Sequence, residues 1–257
     1  MRIKRIITIL ICFLVLPFLF SCRNNGNYVN EIVTQKIDYV ENITVADLDD
    51  ALAVASKKAE GTIVGVESSS TLTSGFGSGI IIKRVELEYS YRYYVLTNFH
   101  VISYNGRVNA SINIYLNEFD TAITAKYEAY NKDKDIAIIS FSSVKLLSVA
   151  TLGDSLKLSK GRFVIAVGNP YDLKTYFKSV SVGNVSHPNR ECVDNNKVNY
   201  YIQHTAPINS GNSGGGLFDI KGNLIGVNTW KYADKEIEGM GFAIPIHIVK
   251  ELYPSYF

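Results

Sequence analysis

The chain has 257 residues, of which 47% are hydrophobic and 19% are charged, a composition typical of a globular protein rather than a disordered or fibrous one. The formal net charge is only +2, and no basic stripe of the kind that neutralises nucleic-acid phosphates runs along the sequence, so nucleic acid is not expected as a partner. No pair of His or Cys residues has the spacing of metal ligands, and neither a metal nor another cofactor is predicted.

The N-terminal segment has the pattern of a secretory signal peptide. A basic start at residues 1–5 precedes an uncharged apolar run at residues 6–20, which is shorter than the roughly 20 residues of a spanning helix. The run ends in Leu19-Phe-Ser-Cys22, which resembles the lipobox of bacterial lipoproteins. That resemblance implies cleavage before Cys22 and attachment of a diacylglyceryl group to its thiol. Ordinary signal cleavage with an incidental cysteine is the alternative.

This reading divides the chain into three parts. Residues 1–21 are the signal peptide, residues 22–43 are a polar, aperiodic tether, and residues 44–257 are the folded domain. We expect the protein to be exported across the cytoplasmic membrane and held by its lipid in the periplasm or at the cell surface. Only Cys192 then remains in the folded domain, so no intramolecular disulfide is expected.

A helix is predicted at the start of the folded domain. Thr44 and Asp47 have the spacing of a capping box, with Asp in place of the usual Glu or Gln. Apolar residues recur at helical intervals from Val45 to Ala55, and Gly61 suits the end of the helix.

Short β-branched and aromatic runs dominate after Gly61, and turn residues separate them, which favours an all-β barrel or sandwich. The runs predicted as strands are Thr62–Val66, Gly79–Ile82, Tyr93–Leu96, Ala110–Leu116, Ile136–Phe141, Phe163–Val167, Val198–Gln203 and Leu224–Asn228. A short final helix is expected from about Ile246 to Leu252.

One glycine-rich segment has the composition of a nucleophile loop. In Asn209-Ser-Gly-Asn-Ser-Gly-Gly215, with Gly216 following, glycines surround Ser213. Such a loop can expose a hydroxyl and aim backbone N–H groups at an oxygen where negative charge develops. An isolated Gly-Ser-Gly segment is often only a turn, so other motifs must support a catalytic role.

Two other polar residues stand at strand ends. His100 follows the apolar strand in Val95-Leu-Thr-Asn-Phe-His-Val101, and Asp135 heads the apolar strand Asp135-Ile-Ala-Ile-Ile139. Each alone is more often structural: a satisfied histidine in the first case and a solvated strand cap in the second.

Together these motifs resemble trypsin-like serine endopeptidases, specifically the bacterial HtrA/Deg branch. The family's signatures look like Thr-Asn-x-His-Val, Asp-[Leu/Ile]-Ala, Gly-Asn-Pro and Gly-Asn-Ser-Gly-Gly, in that order. The corresponding segments here are Thr97–Val101, Asp135–Ala137, Gly168–Pro170 and Gly211–Gly215, with further matches at Gly77–Gly79 and Gly241–Pro245. The resemblance covers roughly residues 61–252.

The resemblance implies a chymotrypsin-like fold of two antiparallel six-stranded β-barrels, with the active site in the cleft between them. The N-terminal barrel is expected at about residues 61–144 and the C-terminal barrel at about residues 152–245. A short N-terminal helix and a short C-terminal helix would flank them.

The resemblance also implies the role of each site residue. Ser213 is the nucleophile, His100 the general base, and Asp135 the carboxylate that orients the imidazole. The N–H groups of Gly211 and Ser213 form the oxyanion hole, and Asn212 shapes that loop. Asp133 is a rival carboxylate, but only Asp135 is followed by the Ile-Ala of the family pattern.

The expected specificity pocket lies between Thr205–Asn209 and Gly226–Thr229. Its substrate-binding residues are Thr205, Ile208, Val227, Asn228 and Thr229, and none of them is acidic. An uncharged, aliphatic residue is therefore expected before the cut. The chain departs from the family at His204 and Thr205, where the family usually has Thr and Asp.

The predicted function is hydrolysis of peptide bonds in polypeptide substrates outside the cytoplasm, in protein quality control or in processing. The alternative is a membrane-anchored, chaperone-like or adhesive lipoprotein that binds peptides with weak or no proteolysis. The PDZ domain usual in HtrA-type enzymes is not expected within these 257 residues. The trimer common in the family is not carried over, because its contact residues are not identified here.

Overall fold

The structure is a computed structural model that describes residues 44–118, 121–173, 175–194, 197–229 and 239–257. The predicted signal peptide, the lipidation site Cys22 and the tether lie outside these ranges. Within them, no helix combines the length and apolar character needed to span a bilayer.

Helix α1 spans Val45–Glu60, which confirms the predicted helix. Its N-terminus is a reciprocal capping box: the Thr44 N–H donates to Asp47 Oδ2 at 2.9 Å, and the Asp47 N–H donates to Thr44 Oγ1 at 3.1 Å. The shorter Asp side chain therefore does the work that Glu or Gln usually does. After the helix, the Thr62 N–H donates to the Ala59 carbonyl at 2.9 Å and turns the chain into the first strand.

The N-terminal half of the β structure is an antiparallel sheet with the strand order β7-β6-β1-β2-β3-β9-β8. Strands β4 and β5 form a separate small hairpin. The strands are β1 (Ile63–Ser69), β2 (Ser74–Glu86), β3 (Tyr91–Thr97), β4 (Ser103–Tyr104), β5 (Arg107–Val108), β6 (Ser111–Tyr115), β7 (Ile123–Thr124), β8 (Lys126–Asn131) and β9 (Ile136–Ser143).

The C-terminal half is a closed six-stranded barrel with the order β10-β11-β12-β15-β14-β13. Its strands are β10 (Phe163–Gly168), β11 (Ser179–Asp194), β12 (Lys197–His204), β13 (Gly216–Asp219), β14 (Leu224–Thr229) and β15 (Gly241–Pro245). Helix α2 (Ile246–Leu252) follows β15 directly, at the position predicted for it.

The all-β, two-barrel expectation is confirmed, with one difference of detail. The N-terminal sheet has seven strands in the described chain, and no strand pairing joins its edge strands β7 and β8. Only Ala125 separates those two strands in sequence. The two edges of the sheet are therefore connected by the backbone itself and not by hydrogen bonds between strands.

Three clusters of buried side chains form the core. Alternate residues of β9 point to opposite faces of the sheet, as strand geometry requires. Ala137 and Ile139 face the interior of the N-terminal sheet, whereas Ile136 and Ile138 pack with Ile165 and other residues of the C-terminal barrel. A third cluster fills the C-terminal barrel itself. Both faces of β9 are therefore buried, which explains its unbroken apolar run.

A long hairpin, β11-β12, reaches from the C-terminal barrel to the turn between β8 and β9. Lys197 Nζ lies 2.6 Å from Asp133 Oδ1, and Lys134 Nζ donates to Asn199 Oδ1 at 2.7 Å. Asn199 is buried. The hairpin thus supports the turn that leads into Asp135.

Candidate active site

His100 and Asp135 are in direct contact. His100 lies on the 3₁₀ turn Phe99–Val101 that follows β3, and Asp135 ends the turn that leads into β9. His100 Nδ1 lies 2.8 Å from Asp135 Oδ2, and the His100 backbone N–H donates to Asp135 Oδ1 at 3.0 Å. The Asp135 side chain is 6% exposed and the His100 side chain 43% exposed. The carboxylate is therefore shielded while the imidazole still reaches solvent.

Backbone contacts lock these two segments together. The Asp135 carbonyl accepts hydrogen bonds from Asn98 Nδ2 at 2.9 Å and from the Phe99 N–H at 3.2 Å. Asp135 itself has a φ of 53°, in the left-handed region that only a few non-glycine residues adopt. These contacts offset the cost of that conformation and fix the carboxylate beneath His100.

The rival carboxylate, Asp133, lies elsewhere. Its side chain is 61% exposed and is paired with Lys197. The geometry therefore pairs His100 with Asp135, which is the carboxylate that the family pattern indicates.

The loop that carries Ser213 is seated on the N-terminal sheet. The Ser213 carbonyl accepts a hydrogen bond from the Ser78 N–H of β2 at 2.8 Å. Gly214 has a φ of 82°, and a Cβ added there would collide with the Ser78 carbonyl and Thr97 Oγ1. Only glycine allows the loop to approach this closely. Ser213 is thereby held beside the end of β3, from which the chain continues to His100.

The buried side chains of Ser78 and Asn169 support this loop, a role that the sequence analysis did not predict. Ser78 Oγ donates to the Gly211 carbonyl at 2.8 Å and accepts from the Asn169 N–H at 2.8 Å. Asn169 Nδ2 also donates to the Val64 carbonyl at 3.0 Å. Ser78 lies in the motif Gly77–Gly79 and Asn169 in the motif Gly168–Pro170. These two motifs, matched to the family, were the only features of the sequence that pointed to the two residues.

The loop's backbone leaves one N–H, that of Gly211, available to a ligand. Gly211 has a φ of 96°, and within the described chain its N–H donates to no other group. The Asn212 N–H, in contrast, is bonded to the Asn209 carbonyl at 3.0 Å. The Gly211 N–H is therefore available to a ligand, and the Asn212 N–H is used within the turn; their role in an oxyanion hole stays a prediction.

Strand β14 supports the site rather than opening onto substrate. Thr229 is 1% exposed, and its hydroxyl donates to Asp135 Oδ2 at 3.2 Å. Asn228 is also buried, and its Nδ2 donates to the Gly216 carbonyl at 2.9 Å, while Val227 belongs to the central core cluster. Both faces of β14 are covered at this point, so none of the three residues expected to bind substrate is exposed; that role stays a prediction.

The other two residues expected in the pocket stay near the surface. Ile208 is half-buried against the core of the C-terminal barrel. Thr205 is exposed, and its Oγ1 accepts from the Asn184 N–H at 2.9 Å. A threonine hydroxyl thus makes a backbone contact at the position where the family usually has a carboxylate.

His204 is completely buried at the end of β12. A Cβ added to Gly241 on the neighbouring strand would strike its imidazole. In the described chain, neither ring nitrogen has a partner at hydrogen-bond geometry. Burial lowers the pKa of His204 to about 4, although the Ala206 backbone and the Asn228 side chain lie close enough to favour the protonated ring slightly. His204 is therefore neutral at physiological pH.

No metal centre adds to this arrangement within the described ranges. No group of three or more His, Cys, Asp or Glu side chains there is placed to hold a metal ion. His247 is half-buried, and its Nδ1 lies 2.8 Å from Ser155 Oγ.

Comparison with known proteins defines the class. Residues 77–227 match the trypsin-like peptidase domain, so the chain belongs to the trypsin-like peptidase family. It is similar to HtrA-type proteases within that family. The serine protease Do-like HtrA of Bacillus subtilis is 35% identical over 191 residues, which is 72% of this chain and 40% of that protein.

Two further relatives extend the comparison. The periplasmic pH-dependent serine endoprotease DegQ of Escherichia coli is 36% identical over 179 residues, covering 69% of this chain and 36% of that protein. The solved structure of the HtrA-type protease AlgW with tripeptide has a TM-score of 0.65 and 30% identity, covering 79% of this chain and 62% of that chain. The chain thus spans less than half the length of the two relatives compared by sequence.

The contact between Thr229 and Asp135 yields a prediction. In Thr229→Val the Asp135 carboxylate loses a donor without a change in side-chain size, and a hydrogen bond to a charged group contributes about 1.5–3 kcal/mol. We expect the rate of labelling by a fluorophosphonate probe to fall about tenfold. Thr62→Val is the matched control, since Thr62 is also buried but donates to the Ala59 carbonyl. Equal rates in both variants would refute the role of Thr229.

Buried His204 predicts acid sensitivity. The pKa of His204 is about 4 in the folded state and 6.5 without burial, so below about pH 6.5 the unfolded chain takes up a proton that the folded chain refuses. The contribution of neutral His204 to the free energy of unfolding is therefore fully present above that pH. It falls by about 3 kcal/mol as the pH drops towards 4. Urea titrations at neutral and acidic pH measure this effect. The free energy of unfolding should fall less between the two pH values in His204→Thr than in wild type.

The control for this experiment is His187→Gln, which removes a histidine that is not buried. It should keep most of the wild-type difference in unfolding free energy between the two pH values. An unchanged pH dependence in His204→Thr would mean that the imidazole titrates normally in the folded protein.

Proposed function

We propose that this chain is a serine endopeptidase that hydrolyses peptide bonds of polypeptides. The observation that carries the proposal is the shielded Asp135 carboxylate bonded to His100, with the glycine-rich loop of Ser213 seated beside them. Membership in the trypsin-like peptidase family and the serine protease names of the relatives support it.

Each group has a role in this proposal. Asp135 accepts from His100 Nδ1 at 2.8 Å, which keeps that nitrogen protonated and leaves Nε2 to act as a base. Ser213 Oγ attacks the scissile carbonyl as His100 Nε2 takes its proton, and the imidazolium returns that proton to the leaving amine as the peptide C–N bond breaks. A water molecule that gives a proton to His100 then attacks the acyl-Ser213 ester, which releases the acid product and restores the Ser213 hydroxyl. The Gly211 and Ser213 N–H groups stabilise the oxyanion. One such donor contributes about 3–4 kcal/mol to lowering the barrier.

Replacement of the nucleophile tests this proposal. Ser213→Ala removes the attacking hydroxyl at little structural cost, so casein hydrolysis and fluorophosphonate labelling should both disappear while the circular dichroism spectrum stays unchanged. Ser210→Ala, a change of the same kind three residues earlier in the loop, should still label. Casein cleavage by Ser213→Ala would overturn the assignment. Absence of labelling in the wild type would instead favour the alternative of a peptide-binding lipoprotein.

The proposed setting is outside the cytoplasm, in protein quality control or in processing of exported proteins. The pattern of residues 1–22 and the periplasmic name of the DegQ relative support this setting. We propose that a lipid on Cys22 holds the catalytic domain at a membrane. Each buried methylene contributes roughly 0.8 kcal/mol, and stable anchoring needs more than one chain.

Metabolic labelling tests the anchor. Cells given a radioactive or alkyne-tagged fatty acid should incorporate it into the wild-type protein, which should then partition with membranes. Cys22→Ala should lose both the label and the membrane association, whereas Cys192→Ala should keep both. Equal labelling of Cys22→Ala and wild type would exclude Cys22 as the lipid site.

A further inference from the structure

A basic groove runs along the N-terminal sheet beside the His100–Asp135 pair. It has a volume of about 860 Å³ and lies between the β4-β5 hairpin and strand β8. Its lining includes three cations, Arg107, Lys126 and Lys132, and two tyrosines, Tyr127 and Tyr130, and no carboxylate among the described lining residues.

Among the described residues, the three cations have no anionic partner. Arg107, Lys126 and Lys132 form no ion pair within the described part of the chain. The nearby Asp133 is already engaged with Lys197 at 2.6 Å. Like charges gathered in one groove repel one another and create a positive potential there, which attracts a negatively charged ligand.

The groove also offers apolar surface. Tyr127 and Tyr130 are 56% and 44% exposed, and their ring centroids lie 6.2 Å apart. Exposed tyrosines bind extended chains well, because a rigid ring buries much area at low entropic cost. Cationic and aromatic groups together suit a peptide that carries carboxylates, rather than a purely apolar one.

Direct contacts connect the groove to the candidate active site. Tyr130 stacks on Phe99, the residue before His100, with centroids 4.8 Å apart, and Lys132 Nζ lies 5.7 Å from the Phe99 ring. The Lys132 carbonyl also accepts from the Asp135 N–H at 3.3 Å. The groove residues therefore pack directly against the segments that carry His100 and Asp135.

We propose that this groove is a specificity subsite that binds an acidic segment of the polypeptide substrate, through Arg107, Lys126 and Lys132 and the faces of Tyr127 and Tyr130. The inference deepens the proposed function and rests on it: it names the substrate class, polypeptides with Glu or Asp near the cut. The residue directly before the cut is still expected to be uncharged.

Binding to the inactive Ser213→Ala protein tests the subsite without relying on proteolysis. The probes are fluorescein-labelled peptides of Ala, Val and Ser that carry three Glu in the first half or in the second half, each compared with its Gln counterpart. An exposed ion pair contributes up to about fivefold in affinity, so one of the Glu peptides should bind about tenfold more tightly than its Gln counterpart. Added salt should reduce this preference.

Groove variants assign the preference to the three cations. The triple change Arg107→Gln, Lys126→Gln and Lys132→Gln in the Ser213→Ala protein should abolish the preference for Glu and its salt dependence. The matched control, Lys57→Gln, Arg92→Gln and Lys160→Gln, removes the same charge from exposed positions outside the groove and should keep the preference.

Fluorophosphonate labelling separates this proposal from the proposed function. With Ser213 intact, the control variant Lys57→Gln, Arg92→Gln and Lys160→Gln should label as fast as wild type, since its changes lie outside the groove and the candidate active site. Equal binding of Glu and Gln peptides by the Ser213→Ala protein, or a preference that persists in the groove variant, would overturn the subsite. Absence of labelling in wild type would overturn the enzyme assignment, and the groove would then be an acidic-peptide site rather than a substrate subsite, because peptide binding is measured independently.

Discussion

The site depends on one buried negative charge. Asp135 is withdrawn from water, and a carboxylate in that position is costly unless its oxygens are paired. Oδ1 accepts from the His100 backbone, and Oδ2 accepts from the His100 ring and from Thr229. The same contacts that satisfy the charge select the ring tautomer and the ring orientation, so stability and chemistry impose the same geometry here.

These contacts also join the two halves of the β structure. Thr229 comes from the C-terminal barrel and Asp135 from the N-terminal sheet, so the carboxylate bridges them. Ser78, on β2 of the N-terminal sheet, likewise binds the nucleophile loop of the C-terminal half. Its hydroxyl donates to the Gly211 carbonyl and its backbone N–H donates to the Ser213 carbonyl. A change in the relative position of the halves would therefore disturb the base and the nucleophile loop together.

Local patterns predicted much of this structure, and long-range partners account for what they missed. The Thr44–Asp47 cap, the apolar run of β9 and the order of the site motifs are short segments whose meaning is local, and the described structure matches each. Strand β11 was not predicted, because its alternation of Ser and Val stops at Gly183 and Pro188 falls where the pairing register shifts between His187 and Arg190. The bond between Thr229 and Asp135 joins residues 94 positions apart, and no pattern within β14 reveals that its side chains turn towards the carboxylate.

The contact between His204 and Gly241 constrains how this domain can evolve. The imidazole occupies the space that a methyl group on residue 241 would need, so an alanine there is sterically compatible only with a smaller residue at position 204. The order of substitution matters: a lineage must first shrink the side chain on β12 before β15 can accept a larger one. The two positions are expected to vary together among descendants of this sequence, although neither side chain carries out chemistry.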